Sequence, residues 1–274
     1  MTAWEAIFLG LLQGLTEFLP VSSSGHLVLA QRMLGVGGDV ILFDVIVHLG
    51  ALSAVCVGFY KDIWKLIKKP FCKEMLLLIL ATVPAVVVAL AFGDFIEEAF
   101  GGTYLGWGFL ITALLLLSVS GGRRGRGADG RRPLLQKRDS EDKTTKPIGY
   151  KTALCMGLAQ GLAVLPGISR SGATVSGGLV AGADRDEAAR FSFLMSVPVI
   201  LGAAVREIFR LGAVTQSVGA LPLALGFAFA AAAGILSVKF MTNIIRKAKF
   251  WPFSVYLFVL GVFVLLNQYV LHWF

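Results

Sequence analysis

Two charged residues stand where an apolar chain rarely carries them. Glu17 lies in "QGLTEFLPVSSSGHL", residues 13–27, and Arg170 in "QGLAVLPGISRSGAT", residues 160–174. An ionised group at membrane depth is expensive and marks a functional site or an ion partner. Gln13 and Glu17 are spaced i, i+4, which puts both on one face of a helix. After Pro20 the run Ser22, Ser23, Ser24, Gly25, His26 reads as the start of a second helix. Free N–H groups and the positive dipole end of such a helix suit an anion such as phosphate. Read alone, this copy is explained by a serine N-cap, and His26 by itself is a weak signal. The second copy says more. Arg170 sits between Ser169 and Ser171, with Gly167 and Gly172 close by. A guanidinium in a Gly/Ser loop is a planar, permanently charged fork for phosphate oxygens. Pairing with Glu17 is the other reading, and it does not exclude phosphate, because buried charges are normally paired.

Together these residues supply a cation, a carboxylate, hydroxyls, an imidazole and two helix N-termini. That is equipment for phosphoryl transfer: clamp the oxygens, hold a cation, position a nucleophile, protonate the leaving group. No Walker motif and no dinucleotide fingerprint occurs, so a nucleotide is not indicated. A phosphate-bearing lipid fits a site inside a membrane. Asp44 and His48 form a further i, i+4 polar pair, read as supporting or structural. Glu187 and Arg190 read as topological charges at a cytoplasmic helix start, and His272 beside Trp273 as an interfacial anchor. The three cysteines show no metal spacing, and those in apolar stretches read as small apolar filler.

The elements that must hold this site are membrane helices. Of 274 residues, 56% are hydrophobic and only 15% charged; the mean hydropathy is +0.77. Runs at 40–60, 74–93, 104–120, 191–205, 221–240 and 252–271 can cross a bilayer, which takes about 20 apolar residues. They are continuous rather than alternating, so a β-barrel is disfavoured. The N-terminal "MTAWEAIF" lacks the basic region of a signal peptide. The net charge of +8 collects at 61–73, 123–151 and 239–249, between the apolar runs. That placement reads as topology, with these stretches cytoplasmic and no nucleic-acid partner. The acidic stretch 93–103 has no Lys or Arg and fits the outside. Arg206 and Arg210 then also fall outside, partly offset by Glu207.

The two motifs match at a nearly constant offset: Gln13 with Gln160, Ser22 with Ser169, Ser24 with Ser171, Gly25 with Gly172. Each is followed by three apolar spans. Three is odd, so the second half must be inverted with respect to the first. The expected fold is an all-α polytopic membrane protein: six transmembrane helices plus two re-entrant helical hairpins in an inverted-topology repeat. The first repeat covers 1–120, a flexible basic linker 121–147, and the second repeat 148–274. Pro20 with Gly25, and Pro166 with Gly167 and Gly172, break the two polar segments. Backbone freed at membrane depth must be buried or line a wet cavity, which suits hairpin tips meeting near mid-membrane.

The stretches "LLQGLTEFLPVSSSGHL", "FDVIVHLGA", "LPGISRSGATVSGGL" and "EAARFSFLMSVPVILGA" resemble the bacterial undecaprenyl-pyrophosphate phosphatases, also described as bacitracin-resistance proteins. The resemblance covers nearly the whole chain except the linker. It implies a multi-pass enzyme of the bacterial plasma (inner) membrane, working toward the periplasmic or outer face. Such an enzyme converts undecaprenyl diphosphate to undecaprenyl phosphate for cell-wall synthesis. The family's E/Q-x-x-x-E motif is matched by Gln13 and Glu17, and its PGxSRSxxT motif by Pro166, Gly167, Ser169, Arg170, Ser171 and Thr174. The resemblance further implies a divalent cation, Mg²⁺ or Ca²⁺, expected on Glu17 and Gln13. Gln13 stands where many members carry a carboxylate, which leaves Glu17 the only acid of that motif.

On this reading Glu17, Ser23, His26 and Arg170 are the catalytic residues. Ser23, His26 or water is the nucleophile. Ser22, Ser24, Gly25, Ser169, Arg170, Ser171, Gly172 and Thr174 line the phosphate. The lipid diphosphate and the bilayer are the expected partners, with a homodimer an open possibility. The competing reading, from inverted repeats and broken helices alone, is a transporter or flippase of an anionic polyprenyl phosphate lipid.

Overall fold

The computed structural model describes residues 1–36, 40–120, 147–210, 218–246 and 250–273. Every regular element among them is helical. In chain order these are α1 (Ala3–Phe18), α2 (Ser23–Met33), α3 (Ile41–Gly58), α4 (Tyr60–Lys68), α5 (Lys73–Ala91), α6 (Gly93–Glu98) and α7 (Leu105–Ser120). There follow α8 (Tyr150–Leu162), α9 (Arg170–Val180), α10 (Arg185–Arg210), α11 (Ala220–Arg246) and α12 (Trp251–Leu266). Of the linker expected at 121–147, residues 121–146 lie outside the described residues.

Among the described residues five helices are long and apolar enough to cross a membrane: Ile41–Gly58, Lys73–Ala91, Arg185–Phe209, Ala220–Ile245 and Trp251–Leu271. The chain is a multi-pass membrane protein. The crossing expected at 104–120 is α7, whose 16 residues rise only about 24 Å against a core of about 30 Å. It makes a sixth span only together with Gly93–Thr103, across a 97° bend.

Local chemistry explains the two broken pairs. A capping box starts α1: Thr2 Oγ1 accepts from the Glu5 N–H, and the Glu5 carboxylate accepts from the Thr2 N–H. The helix ends at extended Leu19, because the residue before a proline is pushed out of the α region. α2 then starts from Ser22, which holds a φ of 67°. α9 starts from Ser169 as N-cap, after a turn in which Gly167 has φ +87°. A Cβ at Gly167 would lie 2.6 Å from the Leu105 carbonyl oxygen, so that turn needs glycine.

Glycine also sets the helix packing. Gly10 and Gly14 of α1 lie on α11, where added Cβ atoms would meet Gly226 O at 2.5 Å and Ala230 O at 2.3 Å. Gly157 and Gly161, their counterparts in α8, lie instead on α5, facing Ala81 and Pro84. Small residues four apart let membrane helices approach backbone to backbone. The packing is thus reciprocal: the first helix of each half lies on a helix of the other. Pro84 and Pro198 sit inside α5 and α10, as membrane helices tolerate.

Three expectations change. The basic stretch 61–73, read as a loop, contains α4, an amphipathic helix with Trp64 and Ile67 exposed. Arg190 is more than a topological charge. It donates to Asp62 Oδ1 at 2.8 Å, to the Glu74 carboxylate and to Glu187 Oε2 at 3.4 Å, tying α10 to α4 and α5. None of the three cysteines is a buried filler, and Cys56 is exposed. Arg206 lines one cavity with Asp94, so it lies at the same end as the acidic 93–103 stretch.

Candidate active site

Three helix ends converge on one carboxylate. Glu17 is in the last turn of α1, and its side chain is 5% exposed. Its Oε2 accepts from Gln13 Nε2 at 2.8 Å and from Ser23 Oγ, at the start of α2, at 2.6 Å. Its Oε1 accepts from Arg170 Nη2, at the start of α9, at 2.9 Å. His48 of α3 completes the ring, with Nε2 3.8 Å from Glu17 Oε2. The first turns of α2 and α9 meet here. Ser171 Oγ donates to Leu19 O at 2.8 Å, and a Cβ on Gly172 would touch Pro20.

The Glu17–Arg170 pair is no simple stabiliser, since desolvating two charges offsets most of their attraction. It keeps a carboxylate and a guanidinium in place without water. Arg170 carries five N–H donors. Among the described residues it donates to Glu17 and, at 3.5 Å, to Ser192 O, which leaves donors for phosphate oxygens. Ser23 is half-buried, and its hydroxyl proton points at Glu17. A hydroxyl bonded to a carboxylate has the geometry that a nucleophile needs toward a base.

Ser22 is strained. A non-glycine residue with φ 67° costs about 1–3 kcal/mol and persists only where its surroundings over-determine it. Here its carbonyl accepts from the His26 N–H at 3.1 Å and from His26 Nδ1 at 2.8 Å, and its Oγ caps Gly25 N. Because that carbonyl can only accept, Nδ1 of His26 carries the hydrogen, and a neutral ring accepts at Nε2 from the Tyr256 hydroxyl at 2.6 Å. The ring stacks on Tyr256 and meets Phe109 edge-on. Both ring nitrogens of His26 are engaged, whereas Ser23 faces the Glu17 carboxylate.

The other expected substrate contacts serve the scaffold of Arg170. Ser169 N donates to Thr112 Oγ1 at 2.9 Å, and Ser169 Oγ accepts from Gly172 N at 3.1 Å. Thr174 Oγ1 donates to Arg170 O at 2.8 Å and bonds Ser192 Oγ at 2.6 Å. Gly25 lies against the Phe109 ring, where a Cβ would come within 2.7 Å. Ser24 is half-buried at the second position of α2.

A family model described as bacitracin resistance protein BacA matches residues 6–263. The chain belongs to the BacA family. It is 44% identical over 272 residues to a protein named undecaprenyl-diphosphatase from Carboxydothermus hydrogenoformans, covering 98% of each chain. It is 37% identical to one of that name from Halothermothrix orenii, covering 97% of this chain and 98% of the other. It is also 37% identical to undecaprenyl-diphosphatase 3 of Bacillus cereus, covering 97% of each.

Sequence reasoning missed three neighbours of this BacA-family site: Tyr256, Thr112 and Ser192. They come from α12, α7 and α10, and no local motif joins them. His48 of α3, read with Asp44 as a supporting or structural pair, lies beside Glu17. The chemistry of the donors also bears on the expected cation. Glu17 can only accept, so Gln13 turns its amide NH₂ toward it, not its carbonyl. Gln13 Oε1 is buried and has no hydrogen-bond partner among the described residues. Among the described residues no three of His, Cys, Asp and Glu form a metal cage. A hard cation held by one or two side chains takes its remaining ligands from phosphate and water. The residues fit such an ion when a phosphate-bearing substrate arrives with it.

Proposed function

We propose that this chain hydrolyses undecaprenyl diphosphate to undecaprenyl phosphate and inorganic phosphate, recycling the carrier lipid for cell-wall synthesis and thereby conferring bacitracin resistance. The observation that carries the reading is the shared carboxylate: Glu17 holds Ser23 by one oxygen and Arg170 by the other. This ring of contacts supports reading Ser23 as the nucleophile, Glu17 as its base and Arg170 as the phosphate fork. Relatives 37–44% identical carry the name undecaprenyl-diphosphatase.

In the proposed reaction Arg170 and the N–H groups opening α2 and α9 hold the diphosphate oxygens. Ser23 Oγ attacks the terminal phosphorus while Glu17 takes its proton. The bond from that phosphorus to the bridging oxygen breaks, and the lipid monophosphate leaves. Water then hydrolyses the phosphoserine and restores Ser23. His26 positions Ser23 through the Ser22 carbonyl. A divalent cation, which Glu17 would hold together with the substrate phosphate, would supply charge neutralisation and Lewis acidity.

We further propose that the chain sits in a bacterial plasma membrane as an inverted repeat, 1–120 against 148–274. The pairs α1/α2 and α8/α9 are its re-entrant hairpins, and the site opens to the outer face. Reciprocal packing of α1 on α11 and α8 on α5 supports this, as does the alternation of basic and acidic stretches along the sequence. The same architecture favours the rival reading, a lipid flippase. Purified protein separates the two: phosphate released from undecaprenyl diphosphate, cation-dependent and lost in Arg170→Ala, supports hydrolysis. Folded protein that releases no phosphate but moves intact lipid across liposomes overturns it.

A further inference from the structure

We infer that His48 is a nitrogen ligand of the divalent cation, filling with Glu17 the place a second carboxylate would take. The inference rests on the proposed function. His48 Nδ1 lies 2.6 Å from the Asp44 carbonyl oxygen. A carbonyl only accepts, so Nδ1 carries the hydrogen, and Nε2 is the ring atom that faces Glu17 Oε2, at 3.8 Å. That separation is too long for a direct hydrogen bond and leaves room for one ion that touches both atoms. Metal–nitrogen and metal–oxygen bonds of about 2.0–2.2 Å reach from one ion to both atoms. A ligating histidine characteristically donates its other N–H to a carbonyl or carboxylate, which fixes the tautomer.

The surroundings favour His48 over the alternatives. Gln13 turns its donor side to Glu17 Oε2. The Asp44 carboxylate is held by Gln31 Nε2 of α2 at 2.6 Å. Both nitrogens of His26 are engaged. The His48 side chain is 28% exposed against 5% for Glu17, so the ion can enter from the His48 side with the substrate's phosphates. A nitrogen donor in place of an oxygen shifts affinity away from Mg²⁺ and Ca²⁺ toward Mn²⁺ and its transition-metal neighbours.

The test is pulsed EPR on the full chain in detergent, with Mn²⁺ and methylenediphosphonate as a diphosphate probe that is not hydrolysed. The expected result is a ¹⁴N coupling on bound Mn²⁺ that disappears in His48→Ala and in the bulkier His48→Gln. Mn²⁺ affinity should fall about ten-fold or more in both. Bound Mn²⁺ without nitrogen coupling, coupling that survives both substitutions, or no Mn²⁺ binding to the wild type overturns the inference. Phosphate release by the same wild-type preparation is read separately: its absence overturns the hydrolase reading, and its presence with a nitrogen-free Mn²⁺ overturns only the role of His48.

Discussion

Ser23 and Arg170 open α2 and α9 at equivalent positions of the two motifs, and both bind the carboxylate of Glu17, one on each oxygen. The duplicated segment has therefore diverged at the first residue of its second helix, a hydroxyl in one copy and a guanidinium in the other. Their glutamines have diverged in use as well: Gln13 bonds Glu17, while Gln160 donates to the Ala81 carbonyl. One site is made from two unlike halves.

Arg170→Ala should lower phosphate release by about 100-fold or more, the scale of a lost transition-state charge clamp. It also strands Glu17 as a buried, unpaired carboxylate, which costs about 3–5 kcal/mol. Adding Glu17→Gln to Arg170→Ala should return most of that stability and none of the activity. Melting temperature and phosphate release on the two variants check this, and activity in the double variant would refute the clamp.

Ser23→Ala should abolish a phosphoenzyme trapped by acid quench from terminally ³²P-labelled substrate. His26→Gln should still form it, more slowly, because the imidazole acts through the Ser22 backbone. Loss of about 10²–10⁴ in rate is the scale for removing the nucleophile–base step. A phosphoenzyme in Ser23→Ala that His26→Gln lacks would move the covalent step to the imidazole.

Gly14→Ala should destabilise the protein by about 1–3 kcal/mol through overpacking, because its Cβ would meet Ala230 O at 2.3 Å. Glu17 is one turn further along α1, so activity per folded molecule should fall too. Gly202→Ala in α10, where a Cβ meets nothing within 4 Å, is the control and should be near neutral. Equal melting temperatures in the two variants would deny the close packing of α1 on α11.

Arg190→Ala should cost about 1.5–3 kcal/mol per charged hydrogen bond left unmade, and it leaves Asp62, Glu74 and Glu187 facing one another. Stability should fall while kcat of the folded fraction stays near the wild-type value. A kcat loss as large as that of Arg170→Ala would place this cluster in the reaction instead.

The charges were legible in the sequence because the chain around them is apolar: Glu17 and Arg170 had few physical reasons to be there. The helix breaks were legible from Pro20, Pro166 and the glycines. What the sequence hid is what depends on which helices meet. His48 and Tyr256 look like ordinary polar residues on apolar spans, and only the fold brings them to Glu17 and His26. The hydroxyls of Ser169, Ser171 and Thr174 looked like phosphate ligands, but type and spacing do not reveal that a cap, a loop carbonyl and Ser192 already engage them. The short α7 was missed because composition measures apolarity and not the bend at 93–103.

The partner of Glu17 lies 153 residues further along the chain. At about 5–20 residues per second of synthesis, Arg170 leaves the ribosome roughly ten to thirty seconds after the carboxylate that needs it. On the re-entrant placement proposed above, that interval leaves an ionised Glu17 at membrane depth without its guanidinium, which is expensive. A chain truncated before α9 should then be defective in insertion as well as inactive.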